Sequence, residues 1–315
     1  MRASIAPSLF GSTRTARRNF LYGVIFASPW IIGFLGLTLY PILASFYYSF
    51  TEYSLPRPPV WIGLQNYVVL ATRDRYMGPV LYNSLYLTLL GIPAQLVFAL
   101  ACAMLLNLKI RGHALWRTFF VLPSLMPTVA MTLLWMWILN PKFGIVNNFL
   151  AELGIKGPLW FVSPEWSKPS IILMQVWAVG FTTIIYLAGL QNVPVELYES
   201  ASLDGAGPLR RFWHVTLPMI SPVTLFNLVT GVIWSLQYFA QALVVSQSIT
   251  STAPGAPQGS LLFYGLHLYY QAFVYLHMGY ASALAWILFL ITMVVTVIIL
   301  RSSARYTYYE VSGRG

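Results

Sequence analysis

Apolar residues along this chain fall into six long windows that contain no Asp, Glu, Lys or Arg. The windows lie near 20–43, 84–107, 118–139, 169–190, 221–248 and 278–300. A window of roughly 20 apolar residues is long enough to cross the hydrocarbon core of a bilayer as a helix. The pattern therefore predicts an all-α polytopic membrane protein with six transmembrane helices in one domain, 20–300, flanked by tails at 1–19 and 301–315.

The overall composition favours a membrane protein over a soluble one. Hydrophobic residues make up 58% of the 315 positions and charged residues only 8%, whereas soluble domains carry about a quarter charged residues. A water-facing surface cannot be built from this composition. The single cysteine, Cys102, lies within an apolar window, which excludes an intramolecular disulfide and a secreted disulfide scaffold.

The basic residues indicate the orientation of the chain. Six spans place both termini on one side, where 12 of the 18 Lys and Arg residues lie, against 6 on the other side. By the positive-inside rule we expect the termini in the cytoplasm. The net charge of +10 thus reflects membrane topology rather than nucleic-acid binding. The apolar stretch after Arg17 and Arg18 is too long for a signal peptide, so we expect it to remain as an anchor.

Several kinds of chemistry are missing from the sequence. None of the four lysines follows a glycine, which argues against a phosphate-binding P-loop. The four histidines, His113, His214, His267 and His277, lie outside the windows and lack metal-ligand spacing. We therefore assign no catalytic residue, metal ligand or cofactor to this chain, and we expect it either to move a solute with energy from a partner or to be purely structural.

The segment 191–220, between the fourth and fifth windows, is acidic where its neighbours on the same side are basic. Glu196, Glu199 and Asp204, three of the chain's eight acidic residues, fall within nine positions. Acidic residues near a helix start, followed by glycines at 205 and 207 and a proline at 208, predict a helix, a turn and a second helix. Such a helix can dock into a partner's cleft, and a solvated re-entry loop is the alternative.

This loop resembles the EAA signature of ABC-importer permeases, which reads E-A-A, three residues, G, nine residues and I-x-L-P. The match runs through Glu199-Ser200-Ala201, Gly205 and Val215-x-Leu217-Pro218, with Ser200 in place of Ala and Val215 in place of Ile. The resemblance implies that the loop inserts into a groove of a cytoplasmic ATPase subunit, which binds ATP and Mg²⁺. The residues assigned to ATPase coupling are Glu196, Glu199, Ser200, Ala201, Asp204, Gly205, Val215, Leu217 and Pro218.

Further segments resemble the carbohydrate subset of the same family. They are Ser28-Pro29-Trp30, Trp61-Ile62-Gly63-Leu64-Gln65-Asn66-Tyr67, Phe143-Gly144-Ile145-Val146-Asn147 and Met278-Gly279-Tyr280. The resemblance implies a type I ABC-importer permease fold and half of a translocation path for a sugar, an oligosaccharide or a glycerol-phosphate-type solute. It also implies a second permease subunit in a heterodimer, two ATP-binding subunits and an extracytoplasmic solute-binding protein. In this family the binding protein largely sets which carbohydrate is carried.

Polar and aromatic residues within the windows are candidates for the substrate path. Those in the fifth window at 227, 234, 238 and 241 fall on one face of a continuous helix. Ring faces and amides suit a sugar, although hydrogen bonds between helices explain such residues equally well. An ABC permease for another cargo and a stand-alone facilitator or channel remain alternatives. The candidates are Asn227, Trp234, Ser235, Gln237, Tyr238 and Gln241 in the fifth window and Gln175 and Trp177 in the fourth.

Overall fold

The computed structural model describes residues 14–108, 112–249 and 254–303 of the chain. Most of both predicted tails, together with Lys109 and Arg111, lie outside the described residues. The described part is almost entirely helical, with a single two-stranded hairpin. The all-α expectation is confirmed.

The described residues contain four helices long and apolar enough to span a membrane, or six spans if each of two bent pairs is one span, and we number six in chain order as spans 1 to 6. Four are long, apolar helices, at Ala16–Tyr48, Met77–Leu106, Ser221–Ser248 and Met278–Ser303. The third and fourth spans are bent pairs, Ala114–Leu125 with Thr128–Ile138 and Pro164–Trp177 with Gly180–Gln191. An even number of passes leaves residues 16 and 303 at the same end of the bundle, which we call the terminal face. The loops after spans 1, 3 and 5 lie at the other end, the opposite face.

Short elements connect the spans and interrupt some of them. Two antiparallel strands, β1 at Thr51–Glu52 and β2 at Val60–Trp61, form the hairpin, with Thr51 opposite Trp61. Connecting helices lie at Gln65–Thr72, Ile145–Glu152, Val195–Leu203, Pro208–Arg211, Leu217–Met219 and Tyr264–Tyr269. Tighter 3₁₀ turns lie at Leu122–Leu125 and Trp160–Val162. Wider π-helical turns lie at Phe34–Leu39, Leu87–Gly91, Phe212–Thr216 and Tyr270–Val274.

Spans 2 and 4 begin earlier than the apolar windows predicted. Span 2 begins at Met77 rather than near 84, and span 4 begins at Pro164 rather than near 169, so that it includes Lys168. The predicted starts were wrong because the windows follow the hydrocarbon core, whereas the helices continue through the polar interface. Ser163 caps the start of span 4, and its Oγ accepts a hydrogen bond from the Trp166 amide at 3.3 Å.

Spans 3 and 4 are bent rather than straight. The halves of span 3 meet at 98°, between Leu125 and Thr128. Met126 has an extended backbone, with φ −69° and ψ 139°, because the ring of Pro127 disfavours the α conformation in the residue before it. The halves of span 4 meet at 48°. Thr128 and Ala178, which adjoin the two breaks, both line the cavity described below.

Close helix packing holds spans 2, 3 and 4 together. A Cβ at Gly180 would lie 2.6 Å from both Phe120 O and Ser124 Oγ, so a larger residue would push spans 3 and 4 apart. The second half of span 4 packs along span 2, where Tyr186 and Ala103 belong to one buried apolar cluster. A larger cluster involving spans 2, 4, 5 and 6 forms the core nearer the opposite face.

The opposite face carries a small structured cap. Asn66 Nδ2 donates hydrogen bonds to Ser49 O and Thr51 O, both at 2.9 Å, which fixes the end of span 1 to the next helix. Gly279, at the start of span 6, lies so close to Thr51 O that a Cβ cannot be accommodated there. The hairpin therefore joins spans 1 and 6.

Asp74 is the centre of a buried polar cluster on this cap. Its side chain is only 7% exposed. It accepts hydrogen bonds from His267 Nε2 at 2.9 Å, from the Tyr280 hydroxyl at 2.6 Å and from the Tyr76 amide at 2.8 Å. Burial alone raises the pKa of Asp74, but the hydrogen bonds from Tyr280, the Tyr76 amide and His267 outweigh burial and hold the pKa below its usual value. The carboxylate thus ties the loop before span 2 to span 6.

We expect Asp74→Asn to lower the thermal stability of the purified protein at pH 7. The substitution removes the charged acceptor of buried donors, which costs about 2 kcal/mol. A lowered pKa stabilises the folded state only while the carboxylate is ionised, so the difference from wild type should shrink as the pH falls below about 4. Thermal unfolding in detergent at pH 7 and below about pH 4 measures the difference in stability. Asp204→Asn, at an exposed position, is the control. Equal unfolding temperatures for Asp74→Asn and wild type at pH 7 would contradict the prediction.

Candidate functional site

The acidic segment forms a short helix, Val195–Leu203, on the terminal face. We call it the acidic helix. Glu196 lies in its first turn, where the helix dipole favours a carboxylate. Gly205 ends the helix with a φ of 74°, a left-handed conformation that suits glycine, and the amide of Ala206 donates to Ala201 O at 2.9 Å. Pro208 then begins the next helix. The local structure agrees with the predicted helix, turn and helix.

Two side-chain hydrogen bonds attach the acidic helix to residues 211–216, the segment that leads into span 5 and that we call its base. The Tyr198 hydroxyl pairs with Thr216 Oγ1 at 3.0 Å, and Thr216 is buried five residues before span 5 begins. Arg211 Nη1 donates to Ser202 Oγ at 2.9 Å. The acidic helix is therefore linked by hydrogen bonds to the segment that leads into span 5.

The outward side of the acidic helix is free to meet a partner. Glu196, Glu199 and Asp204 are exposed, and none of them forms an ion pair with another described residue. Leu203 lies beside them and is 89% exposed. This side of the helix therefore presents carboxylates and one apolar side chain to its surroundings. Of the other residues assigned to coupling, Ser200 and Gly205 are exposed, and Ala201, Val215, Leu217 and Pro218 are half-buried.

A cavity of about 610 Å³ lies between spans 2, 3, 4 and 5. Its volume is within the usual range of small-molecule sites. No charged residue lines it in the part of the chain that the structure describes. The structure brings most of the candidate substrate-path residues together in its walls, namely Gln175, Asn227, Trp234, Ser235, Gln237, Tyr238 and Gln241.

Several polar atoms in the cavity wall have no hydrogen-bond partner. Gln175 Oε1, Asn227 Nδ2 and the Tyr238 hydroxyl are all buried and unpaired within the described structure. Buried polar groups are normally paired, so these atoms, which are closed off from water in this conformation, need a partner that the described chain does not supply. Ser235 differs, because its Oγ pairs with Thr88 Oγ1 of span 2 at 2.9 Å. For Ser235 the structure favours a hydrogen bond between helices.

Span 5 is interrupted, although the argument from periodicity assumed a continuous helix. It runs regularly over Ser221–Leu236 and again over Ala240–Ser248, and Phe239, with φ −151° and ψ −53°, breaks it between them. Gln237 and Tyr238 lie at this break and line the cavity.

Trp177 is the one predicted substrate-path residue that the described cavity wall lacks. Its ring packs against Trp135 of span 3 in a T-shaped contact, with 5.6 Å between ring centroids. It lies two positions after Gln175, and this spacing places side chains on different sides of a helix.

Sequence reasoning missed three polar residues of the cavity wall. Gln95 of span 2, Thr128 of span 3 and Thr230 of span 5 all line it. Gln95 offered a signal, because it is an amide in the middle of an otherwise apolar window. The two threonines gave none, since threonines occur in many of the windows.

A comparison with known protein families identifies the family of this chain. Residues 95–308 match the family described as "Binding-protein-dependent transport system inner membrane component". The match covers more than half of the chain and includes both the acidic helix and spans 3 to 6. The chain belongs to this family. The permease is thus the membrane-spanning component of a transport system, and the resemblance to ABC-importer permeases is confirmed.

Curated relatives match the permease along nearly its full length. It is 38% identical to "Probable ABC transporter permease protein YesP" of Bacillus subtilis (strain 168), over 95% of each chain. It is 32% identical to "Sulfoquinovosyl glycerol transport system permease protein SmoG" of Agrobacterium fabrum (strain C58), over 89% of this chain and 90% of the relative.

Solved structures share the fold of the permease. Two structures of a bacterial ABC transporter that imports the acidic polysaccharide alginate give TM-scores of 0.76 and 0.75 at 24% sequence identity. They cover 94% and 95% of this chain and 99% of the chains compared. One of them contains an alginate pentasaccharide-bound periplasmic protein. The expected ABC-importer permease fold is confirmed.

Proposed function

We propose that the permease forms one half of a carbohydrate path and is driven by separate ATP-binding subunits. The observation that carries the proposal is the connection between its two candidate sites. The acidic helix is hydrogen-bonded to the base of span 5, and span 5 in turn supplies most of the polar wall of the cavity. Closure of a partner bound to the acidic helix therefore moves a wall of the substrate path.

The cavity chemistry supports a saccharide as cargo. Sugars present hydroxyl groups and apolar ring faces, which match the unpaired amides of Gln175 and Asn227 and the ring of Trp234. Related proteins are named for sulfoquinovosyl glycerol and for alginate, both of which contain sugars. Because the described lining is uncharged, we infer that a sugar, an oligosaccharide or a glycerol-phosphate-type solute contacts this cavity through hydroxyl groups and ring faces rather than through an ion pair.

The proposed assembly follows from the exposed parts of the permease. Trp234 lines the cavity yet is 74% exposed, and Gln237 is exposed as well, so a second permease subunit is needed to close the path as a heterodimer. Two ATPase subunits would bind the acidic helices and carry ATP and Mg²⁺, and this chain would hold no cofactor or metal. An extracytoplasmic solute-binding protein would deliver the cargo, in keeping with the family description.

The same proposal sets the orientation. The terminal face, with the acidic helix, would lie in the cytoplasm of a bacterium or archaeon, and the opposite face outside the inner membrane. The excess of Lys and Arg on the side of the termini supports this orientation. Cysteines introduced at exposed positions of each face, labelled with a membrane-impermeant reagent in intact cells, test it.

Reconstitution separates this function from that of a stand-alone facilitator. Proteoliposomes that contain both permeases and the ATPase should take up sugar only with internal ATP and external sugar-loaded binding protein. Proteoliposomes that contain the purified chain alone should take up none. Sugar entry through the chain alone would overturn the proposal. Testing binding proteins encoded beside the permease against a panel of sugars would then identify the cargo.

A further inference from the structure

A second cleft lies at the opposite face, away from the cavity. It has a volume of about 640 Å³ and is bounded by the loop 70–75, by the start of span 2 and by span 6. Met77 and Leu81 of span 2 and Ile287 and Ile291 of span 6 form its apolar walls. Arg73 and Arg75 lie at its edge. The cleft therefore combines an apolar groove with two cations.

Both arginines are available to an anion. They are exposed, and neither forms an ion pair with any residue that the structure describes. Asp74 lies between them in sequence, but its carboxylate points inward and is held by His267 and Tyr280. The loop thus buries its acidic side chain and presents its basic side chains.

Arg75 is held in place by its neighbour. Its guanidinium carbon lies 4.9 Å from the centre of the Tyr76 ring, and Nη2 donates to the Tyr76 hydroxyl at 2.9 Å. A cation fixed on an aromatic ring loses less freedom when it binds an anion. The remaining guanidinium donors can form the two-pronged contact that arginine makes with phosphate.

The position relative to the bilayer identifies the kind of anion. Span 2 begins at Met77, so Arg73 and Arg75 immediately precede a membrane helix, and we infer that they lie at the level of lipid headgroups. The apolar walls continue from there along spans 2 and 6 towards the hydrocarbon core. The charge bias that orients the chain does not account for these arginines, because they lie on the side with fewer basic residues.

We propose that this cleft binds an anionic phospholipid from the leaflet at the opposite face. Arg73 and Arg75 hold the headgroup phosphate, and an acyl chain follows the groove formed by Leu81, Ile287 and Ile291. A protein ligand would meet the arginines but would leave the membrane-embedded groove unfilled, so the combination favours a lipid. The bound lipid joins spans 2 and 6 at the place where Asp74 also connects them.

Native mass spectrometry of the purified full chain tests the site with two lipid probes. Phosphatidylglycerol and phosphatidylcholine, both with the same acyl chains, are added in turn. Wild type should retain phosphatidylglycerol about tenfold more strongly, and the double variant Arg73→Ala/Arg75→Ala should lose that preference. Ile291→Trp, which fills the groove but keeps both arginines, should weaken the retention of both lipids. Arg57→Ala, an exposed arginine outside the cleft, is the matched control and should behave as wild type.

Three results would overturn the proposal. Retention of phosphatidylglycerol by the double variant at the wild-type level is one, and an equal loss of the preference in Arg57→Ala is another, because that result indicates non-specific attraction. If the double variant keeps its lipid but loses affinity for the sugar-loaded binding protein, the arginines form a protein-docking site instead. Unfolding temperatures within a few degrees of wild type establish that each variant is folded before its lipid is counted.

Discussion

Glu199→Lys is expected to reduce ATP-driven uptake at least about tenfold while membrane insertion stays normal. Glu199 lies on the exposed side of the acidic helix without an ion-pair partner among the described residues. In the proposed complex its carboxylate accepts hydrogen bonds from the ATPase, and bonds to a charged group contribute about 1.5–3 kcal/mol. Lysine removes the acceptor and places a cation opposite the same donors. Detergent pull-down of the ATPase and uptake into proteoliposomes measure the effect.

The control for this variant reverses charge elsewhere. Glu152 is an exposed acid at the end of the helix Ile145–Glu152 on the opposite face, and Glu152→Lys should leave both pull-down and uptake unchanged. Glu199→Gln, which keeps one acceptor oxygen, should fall between wild type and Glu199→Lys. Normal pull-down together with normal uptake for Glu199→Lys would rule out docking through this residue.

Trp234→Ala is expected to weaken sugar-stimulated transport about tenfold without loss of assembly. The Trp234 ring lines the cavity and is 74% exposed there, so it is available to the ring face of a sugar. A stacking contact worth about 1.4 kcal/mol corresponds to a tenfold change in affinity. Tyr238→Phe removes only a buried, unpaired hydroxyl and should have a smaller effect in the same direction.

The measurement for these cavity variants is ATPase activity as a function of sugar-loaded binding protein. Trp137 is an exposed tryptophan of span 3 outside the cavity wall, so Trp137→Ala controls for the loss of an exposed ring. Wild-type kinetics for both Trp234→Ala and Tyr238→Phe would remove span 5 from the substrate path.

The acidic helix was predictable because its signals are local. Glu196, Gly205 and Pro208 each act within one or two turns of the backbone, through the helix dipole, a left-handed turn and a fixed φ angle. The EAA resemblance depends on the same short stretch. Neither required knowledge of which helices pack together.

The cavity and the polar cap were predictable only in part, because tertiary packing creates them. Whether Gln95 of span 2 faces a lipid or Trp234 depends on how four helices meet. The bend beside Pro127 changes the direction of a whole helix half, the break at Phe239 interrupts span 5, and a hydropathy window registers neither. Asp74 and His267 are 193 positions apart, and neither has a neighbour in sequence that indicates the other.

The open side of the cavity affects the fate of a newly made copy in the cell. A lone subunit exposes the rim at Trp234 and Gln237 to acyl chains, which cannot hydrogen-bond to amides, and each such group costs several kcal/mol in hydrocarbon. We therefore expect membrane proteases to degrade surplus copies. Matched synthesis of the two pore-forming chains, from one message, would keep that surplus small.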